Sequence, residues 1–400
     1  MSYYLRRNYR TIFITVEKYE PEIKTVLIDF FDSNETTLFE RITNFKTSDK
    51  PSMIIIENYD LKKLTEGTVY ELAKEVIEEL IENRELTNYE DSFLIGYRIN
   101  IGANRKKLFG KSKSFTTTEN SIRNVNINVS NPKVYTKLNP SGDMYCIVRN
   151  VGQGNWNELF VDDTTYLVYD CGTHYLTNRS QVIKYIDNRE TLFQKDKPVL
   201  IISHWDVDHY HCLLAMSDIT LSSFEYVMFK NYIPNLTSRK LMARFLKLIP
   251  HCIHTLSSGR AIKIKKVTKL TLMNSLIDVV LVFNGSKDRD RNKCGICLII
   301  KTNKVNIILS ADHHYDQISR YLLPFLTYPS KHYLVVPHHG GKAGKFEYNM
   351  SKNLTPKLAI ISVGKNSYGH PFKRYTNELH NKKFSIRKTN DFGKDERIDL

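Results

Sequence analysis

The sequence predicts an α/β protein built in two parts, and three observations lead there. Short runs rich in β-branched and aromatic residues recur along the chain, the mark of strands. Beyond residue 144 these runs alternate with helical stretches, whereas the first hundred residues keep a different rhythm around one amphipathic helix. Positive charge is also lopsided. Residues 1–140 carry 21 Lys and Arg against 20 Asp and Glu, which leaves 37 against 23 in residues 141–400. Almost all of the net charge of +15 thus sits in the C-terminal part, where it suits a polyanion such as nucleic acid.

A hydrophobic content of 41% and a charged content of 25% belong to the soluble globular class. No apolar run approaches the length that spans a bilayer, and the start Met1–Arg7 leads into no apolar core of a signal peptide. The expectation is a cytoplasmic protein with no membrane contact. Six thinly spread cysteines (Cys146, Cys171, Cys212, Cys252, Cys294, Cys297) fit a reducing compartment. Cys294-Gly295-Ile296-Cys297 has no second pair to complete a zinc site and reads as a turn entering a strand.

Residues 1–102 are expected to form an N-terminal α/β domain. Thr11–Val16, Thr25–Phe31, Met53–Ile56 and Ser92–Ile99 read as strands. Thr68 and Glu71 have capping-box spacing, and Leu72, Ala73, Val76, Ile77, Leu80 and Ile81 form a stripe at helical spacing. The opposite face, with Glu75, Glu78, Glu79 and Glu82, is a solvated surface. No catalytic constellation stands out, so this part reads as an interaction domain, a place for a protein partner. Residues 103–143 form a basic and polar linker in which Arg105, Lys106, Lys107, Lys111 and Lys113 meet either phosphate or solvent.

In the remaining part, 144–400, Met144–Val148 and Leu167–Tyr169 read as strands, and Leu176–Leu192 as helix. Then Pro198–Ile202 runs into Ser203-His204-Trp205-Asp206-Val207-Asp208-His209. Carboxylates crowded in this way repel one another and rise in pKa, a penalty that a divalent cation removes. In extended chain His204 and Asp206 point to one side. A helix starting at the strand end turns Asp208 and His209 back toward the same point, so two ligand sets can serve two adjacent metals. Further on, Phe224–Phe229 reads as strand and Ser238–Leu248 as helix, with His251 and His254 in a loop beyond it. His211 reads as an extra ligand, a substrate contact or a surface histidine, with the last two preferred.

The H-x-D-x-D-H stretch resembles the second motif of the metallo-β-lactamase fold, whose common form is H-x-H-x-D-H. The aspartate form resembles the hydrolase domain of the competence DNA-uptake channel protein (ComEC-type). The resemblance covers about residues 144–395 and implies an αββα sandwich. Val151-Gly152-Gln153-Gly154 and Asp170-Cys171-Gly172 resemble its opening motifs, with Asp170 bracing the metal site. Ser310-Ala311-Asp312 resembles T-G-D, whose aspartate bridges two metals. Pro337-His338-His339-Gly340-Gly341 resembles P-H-H-G-S, with His338 as ligand, His339 as a phosphate contact and Gly341 in place of serine. Small residues Ala343 and Gly344 replace hydroxyls, which leaves backbone amides with Lys342 and Lys345 for phosphate. Ser362-Val363-Gly364 and Asn366-Ser367-Tyr368-Gly369-His370-Pro371 resemble S-V-G-x-x-N-x-Y-G-H-P. The histidine expected before Ile296–Ile300 is missing, with Asn292 or Cys294 nearby, and His313 or His314 is an extra neighbour of the metal or substrate.

What the resemblance implies is a hydrolase with two divalent ions, zinc or manganese. His204, Asp206 and His338 hold one, Asp208, His209 and His370 or a water hold the other, and Asp312 lies between. Asp208 and His370 are the catalytic pair, with Asp170, His339, Lys342, Lys345 and Asn366 as supporting or substrate contacts. The leading expectation is a phosphodiesterase or nuclease on DNA or RNA. A hydrolase of a small ester, lactam or cyclic nucleotide, and a weakly catalytic binding module, remain open beside it.

Overall fold

Alternation of side chains decides how the C-terminal part stacks. In the strand Ile296–Lys301, Ile296, Leu298 and Ile300 enter one apolar core while Cys297 and Ile299 enter another. The strand is therefore buried on both faces, which explains its unbroken run of apolar residues. The same period of two places Val305, Ile307 and Leu309 in the first core and Ile308 in the second. The computed structural model describes residues 11–46, 50–103, 105–110, 112–113, 143–230, 232–256, 267–270, 280–284, 291–391 and 393–400. Lys111 and most of the expected linker lie outside the described residues.

Two seven-stranded sheets share that first core. One runs, in spatial order, Ile253–Leu256, Tyr226–Lys230, Val199–Ile201, Thr164–Tyr169, Asn157–Val161, Met144–Val148 and Glu396–Asp399. The other runs Val267–Leu270, Val280–Asn284, Ile296–Lys301, Val305–Leu309, Ser330–Val335, Leu354–Ile361 and Ser385–Lys388. Helices Tyr315–Tyr321 and Lys373–Asn381 cover the outer face of the second sheet through Tyr315, Ile318, Tyr375 and Leu379. Helices Arg179–Ile186 and Arg189–Asp196 bury Val182, Ile186 and Phe193, the last against Trp156 and Phe224. The result is an αββα sandwich, the architecture expected.

What positions the site is parallel pairing. Tyr169 pairs with Ile201, and Leu309 with Val335, which in turn pairs with Ile360. The strands before Asp170, Ser203, Asp312, His338 and Ser362 thus finish at one edge, where open parallel sheets place their functional loops.

The chain divides into two compact units, and the N-terminal one takes in Leu176–Gln181 and Ile233–Arg244. Its seven-stranded sheet has the order Leu86–Asn88, Ile95–Asn100, Met53–Glu57, Thr25–Phe30, Thr11–Glu20, Val69–Ala73 and Ser112–Lys113. Within this unit the Thr237 amide donates to Asp29 Oδ2 at 2.7 Å, and Asn235 Nδ2 donates to Glu17 Oε2 at 2.9 Å. Leu108 and Phe109 are buried in its core. Arg105 is committed to Glu85 at 2.6 Å, while Lys106 and Lys107 are exposed.

Local expectations change in three places, the simplest being His254, which lies in the strand Ile253–Leu256 rather than in a loop. The Thr68–Glu71 capping box does not form. Val69–Ala73 is a strand paired antiparallel with Thr11–Thr15, and the helix begins at Lys74. Long-range pairing of Val69 and Tyr70 outweighs the weak local preference. The single helix expected over 176–192 is two helices, parted at Asn188 with φ 62°. Among the described residues no helix is long and apolar enough to cross a membrane.

Candidate metal centre

The strand ending at Ile201 releases a turn that backbone hydrogen bonds hold from three sides. Asn155 N–H donates to the Asp208 carbonyl at 2.9 Å, Cys171 N–H to that of His209 at 2.9 Å, and Ile296 N–H to that of Ser203 at 2.9 Å. Gly172 lies so close that a Cβ there would stand 1.9 Å from the Asp208 carbonyl oxygen, so any larger residue would push the turn away. Asp206 precedes the short helix Val207–Tyr210, which turns Asp208 and His209 inward.

Asp170 supports the turn from beneath. It is fully buried and accepts from Ser203 N–H at 2.6 Å, Ser203 Oγ at 2.8 Å, Asn155 Nδ2 at 2.6 Å and His209 Nδ1 at 2.8 Å. Ser203 Oγ also lies 3.0 Å from His204 Nδ1 and 3.1 Å from His209 Nδ1. With Nδ1 engaged in this way, His209 turns Nε2 toward Asp312 Oδ1, 3.4 Å away. His204 Nε2 lies 3.7 Å from both Asp312 Oδ2 and Asp206 Oδ2.

From the second sheet come Asp312 and the His338–His339 pair. Asp312 Oδ2 lies 2.7 Å from His338 Nδ1. His339 Nδ1 contacts the Ser362 carbonyl at 2.7 Å. A carbonyl only accepts, so Nδ1 carries the hydrogen and the neutral ring keeps its lone pair on Nε2. That lone pair faces Asp208 Oδ2 at 3.3 Å. Two acceptors so placed repel unless a cation or proton lies between them. Asp170, Ala311, His338 and His339 all adopt left-handed backbone (φ 58°, 47°, 52° and 54°). Four such residues at one centre store about 1–3 kcal/mol each, as strained functional sites do.

Electrostatics follow from the burial. Burial lowers the His209 pKa, but the Asp170 and Asp312 carboxylates outweigh it and hold the imidazole well above its usual value. Burial raises Asp312, yet the His338 and His209 rings hold its carboxyl well below the usual range. Among the described residues, two sets of side chains have ligand atoms close enough to hold an ion: His204, His209 and Asp312, and Asp208, His209 and His339. The buried Nε2 atoms of His204, His209 and His339 have no hydrogen-bond partner among the described residues. Buried imidazole nitrogens beside carboxylates form a donor set that suits a divalent cation, which would take the place of the proton the two carboxylates hold on His209.

The structure therefore gathers His204, Asp206, Asp208, His209, Asp312, His338 and His339 at one point, but partitions them differently from the sequence expectation. His339, read as a phosphate contact, joins Asp208 and His209, while His338 lies against Asp312 with 22% of its side chain exposed. His209 belongs to both sets and Asp312 to one. His370 Nδ1 lies 3.2 Å from Gln153 Nε2, and its ring centre is 5.6 Å from that of His338. Asn366 bonds to its own loop, donating to the Gly364 and His370 carbonyls and accepting from His370 N–H. Lys345 is exposed and pairs with Glu347 at 2.7 Å, and Lys342 is exposed.

His211 is a correction. It is fully buried, neither at the surface nor facing solvent, and its Nδ1 donates to the His174 carbonyl at 3.1 Å. Burial lowers its pKa to about 4. His313 Nδ1 likewise donates inward, to Ser310 at 3.2 Å, and His314 precedes the helix at Tyr315. Sequence reasoning passed over Ser203, whose hydroxyl touches three members of the cluster, and Asn155, which holds Asp170. Only their position beside recognised motif residues hinted at either.

No protein-family profile matches the chain, and no curated protein matches its sequence. Solved structures do match. The short form of human tRNase Z aligns at 12% identity with a TM-score of 0.29, over 48% of this chain and 79% of that one. A protein of Parabacteroides distasonis, provisionally described as a metal-dependent hydrolase, aligns at 13% identity with a TM-score of 0.30, over 63% of this chain and 96% of that one. Likeness at this level assigns neither activity nor substrate. The sheets, core and side-chain cluster described above carry the reading that follows.

Proposed function

We propose that the chain is a metal-dependent hydrolase that cleaves phosphodiester bonds of nucleic acid. One observation carries this reading more than any other: the His339 Nε2 lone pair faces the Asp208 carboxylate at 3.3 Å within a buried cluster of acids and imidazoles. A cation relieves that opposition, and oxygen and imidazole donors accept zinc or manganese alike. His204, His209 and Asp312 would hold one ion. Asp208 and His339 would begin a second set, and because His209 has a single inward lone pair that serves one ion, Asp206 would supply what that set lacks. When bound, such ions supply Lewis acidity toward a phosphoryl oxygen and a water activated at neutral pH.

The chain's own groups do the rest. Asp170 fixes the ring plane of His209, and Ser362 fixes that of His339. Asp208 takes up the proton released by the attacking water, and His370, oriented by Gln153, returns one to the leaving oxygen. Exposed Lys342 and Lys345 and the basic excess of residues 141–400 favour a polyanionic substrate over a small neutral ester or lactam.

The test is cleavage of labelled DNA and RNA with manganese, magnesium or zinc supplied, alongside metal analysis and an Asp208→Ala control. Metal-dependent cleavage abolished by D208A is the expected result. Bound metal with hydrolysis only of small esters, lactams or cyclic nucleotides would replace the substrate class. A protein with neither metal nor activity would be a binding module.

A further inference from the structure

A row of rings leads away from the metal centre. His338 neighbours His370 at 5.6 Å between centres, His370 neighbours Tyr368 at 5.3 Å with the planes 30° apart, and Tyr368 neighbours His174 at 6.1 Å. Phe372 flanks His370 edge-on at 5.1 Å. His174, Tyr368, His370 and Phe372 are half-buried. Rings meant for a core would be buried as Tyr175, Tyr210 and Tyr315 are.

The loop that carries Tyr368 and His370 is braced by its own hydrogen bonds. Asn366 ties Gly364 to His370 through three hydrogen bonds of 2.9–3.1 Å, and Gly369, at φ 69°, makes the sharp bend between the two rings. A platform fixed before binding loses little entropy when a flat group lands on it. Exposed Lys365, Lys373 and Arg374 lie on either side of the loop in sequence.

Flat surfaces beside a phosphate-directed centre suit a base, since every nucleobase has a π-face and stacks with little regard to sequence. A base inside a duplex already has its stacking partners. Resting on the proposed function, we infer that Tyr368 and His370 form a stacking platform for the nucleobase next to the cleaved phosphodiester, and that the substrate is single-stranded nucleic acid.

An oligothymidylate with one cleavable phosphodiester among methylphosphonate linkages tests this, compared with the same oligomer lacking the base beside that bond. With the wild-type protein and manganese, the abasic oligomer should show kcat/KM lower by about tenfold, mostly through KM, a modest value for one base–aromatic stack. Tyr368→Ala should lose about tenfold more on the base-bearing oligomer than on the abasic one, while Tyr368→Phe restores the difference. Independently of turnover, 2-aminopurine at that position should be quenched on binding to the Asp208→Asn protein, and less so when Y368A is added. Equal rates with and without the base, undiminished quenching in the double variant, or equal cleavage of duplex would overturn the stacking platform and leave the hydrolase standing. Cleavage of no nucleic acid under any metal would remove the hydrolase reading instead, and quenching unaffected by Y368A would then remove the platform as well.

Discussion

Asp170 Oδ2 sits 2.8 Å from His209 Nδ1, both groups fully buried, and the same carboxylate holds the Ser203 amide and hydroxyl. A carboxylate behind an imidazole sets which nitrogen faces inward and raises its basicity. Asp170→Asn keeps the shape but removes the charge. We expect D170N to bind zinc or manganese about 10–100-fold more weakly, as loss of such a supporting partner does elsewhere. Titration calorimetry checks this, and unchanged affinity would refute it.

His338 and His339 are neighbours with different duties. His339→Ala should weaken metal binding about 100-fold, and His338→Ala by about tenfold or less, since only His339 shares a set with Asp208 and His209. Metal content after dialysis reads the difference. Ion binding also stabilises the fold by about 2.7 kcal/mol at a hundredfold excess over Kd, so a chelator should lower Tm in the wild type and by less in H339A, which keeps His204, His209 and Asp312. An equal loss in both variants would restore His338 to equal rank.

Gly341 leaves room that no other residue would. A Cβ there would lie 2.3 Å from His370 Cε1 and 2.7 Å from His338 Cδ2. Gly341→Ser therefore displaces one or both rings, although its backbone angles suit any residue. Misplacing a catalytic group by about 1 Å costs about 100-fold, so kcat on a nucleic-acid substrate should fall by that order while Tm changes little. Retained kcat would mean that His370 does not act on substrate from this position.

Asp29 makes the N-terminal unit sensitive to acid in a particular direction. Burial is the main cause of a pKa raised to about 6, with Glu17 adding to it and the Thr237 amide opposing. Below pH 3.8 the group is protonated in both folded and unfolded chains. As pH rises further the unfolded chain ionises first, so stability falls until about pH 6 and is level above. This group's share of that fall is about 3 kcal/mol. Asp29→Asn should flatten the dependence between pH 4 and 6 in denaturant titrations, and an unaltered slope would count against the buried proton.

What the sequence disclosed, and what it withheld, divides along chain separation. The cluster from His204 to His209 was legible because its acids and imidazoles lie within six residues and a strand end settles their direction. Strands such as Met144–Val148 and Val305–Leu309 were legible because their apolar runs have few other uses. The roles of His338 and His339 were not, since left-handed backbone at both positions turns the rings in a way that strand alternation does not anticipate. Burial of His211 was equally hidden, because its partner is a carbonyl 37 residues away. Thr68 and Glu71 misled for a related reason: the pairing that overrode them comes from Thr11–Thr15, adjacent in the sheet but distant along the chain.

Ser203 places its one hydroxyl within reach of Asp170, His204 and His209. An alcohol owns a single hydrogen, and the carboxylate, which has none to offer, claims it. Toward the two imidazoles the oxygen is left only as a recipient, so both rings must present N–H on that side and keep their bare nitrogens for the interior. One small side chain thereby decides the tautomer of two rings, and replacing it with alanine would leave His204 able to face either way.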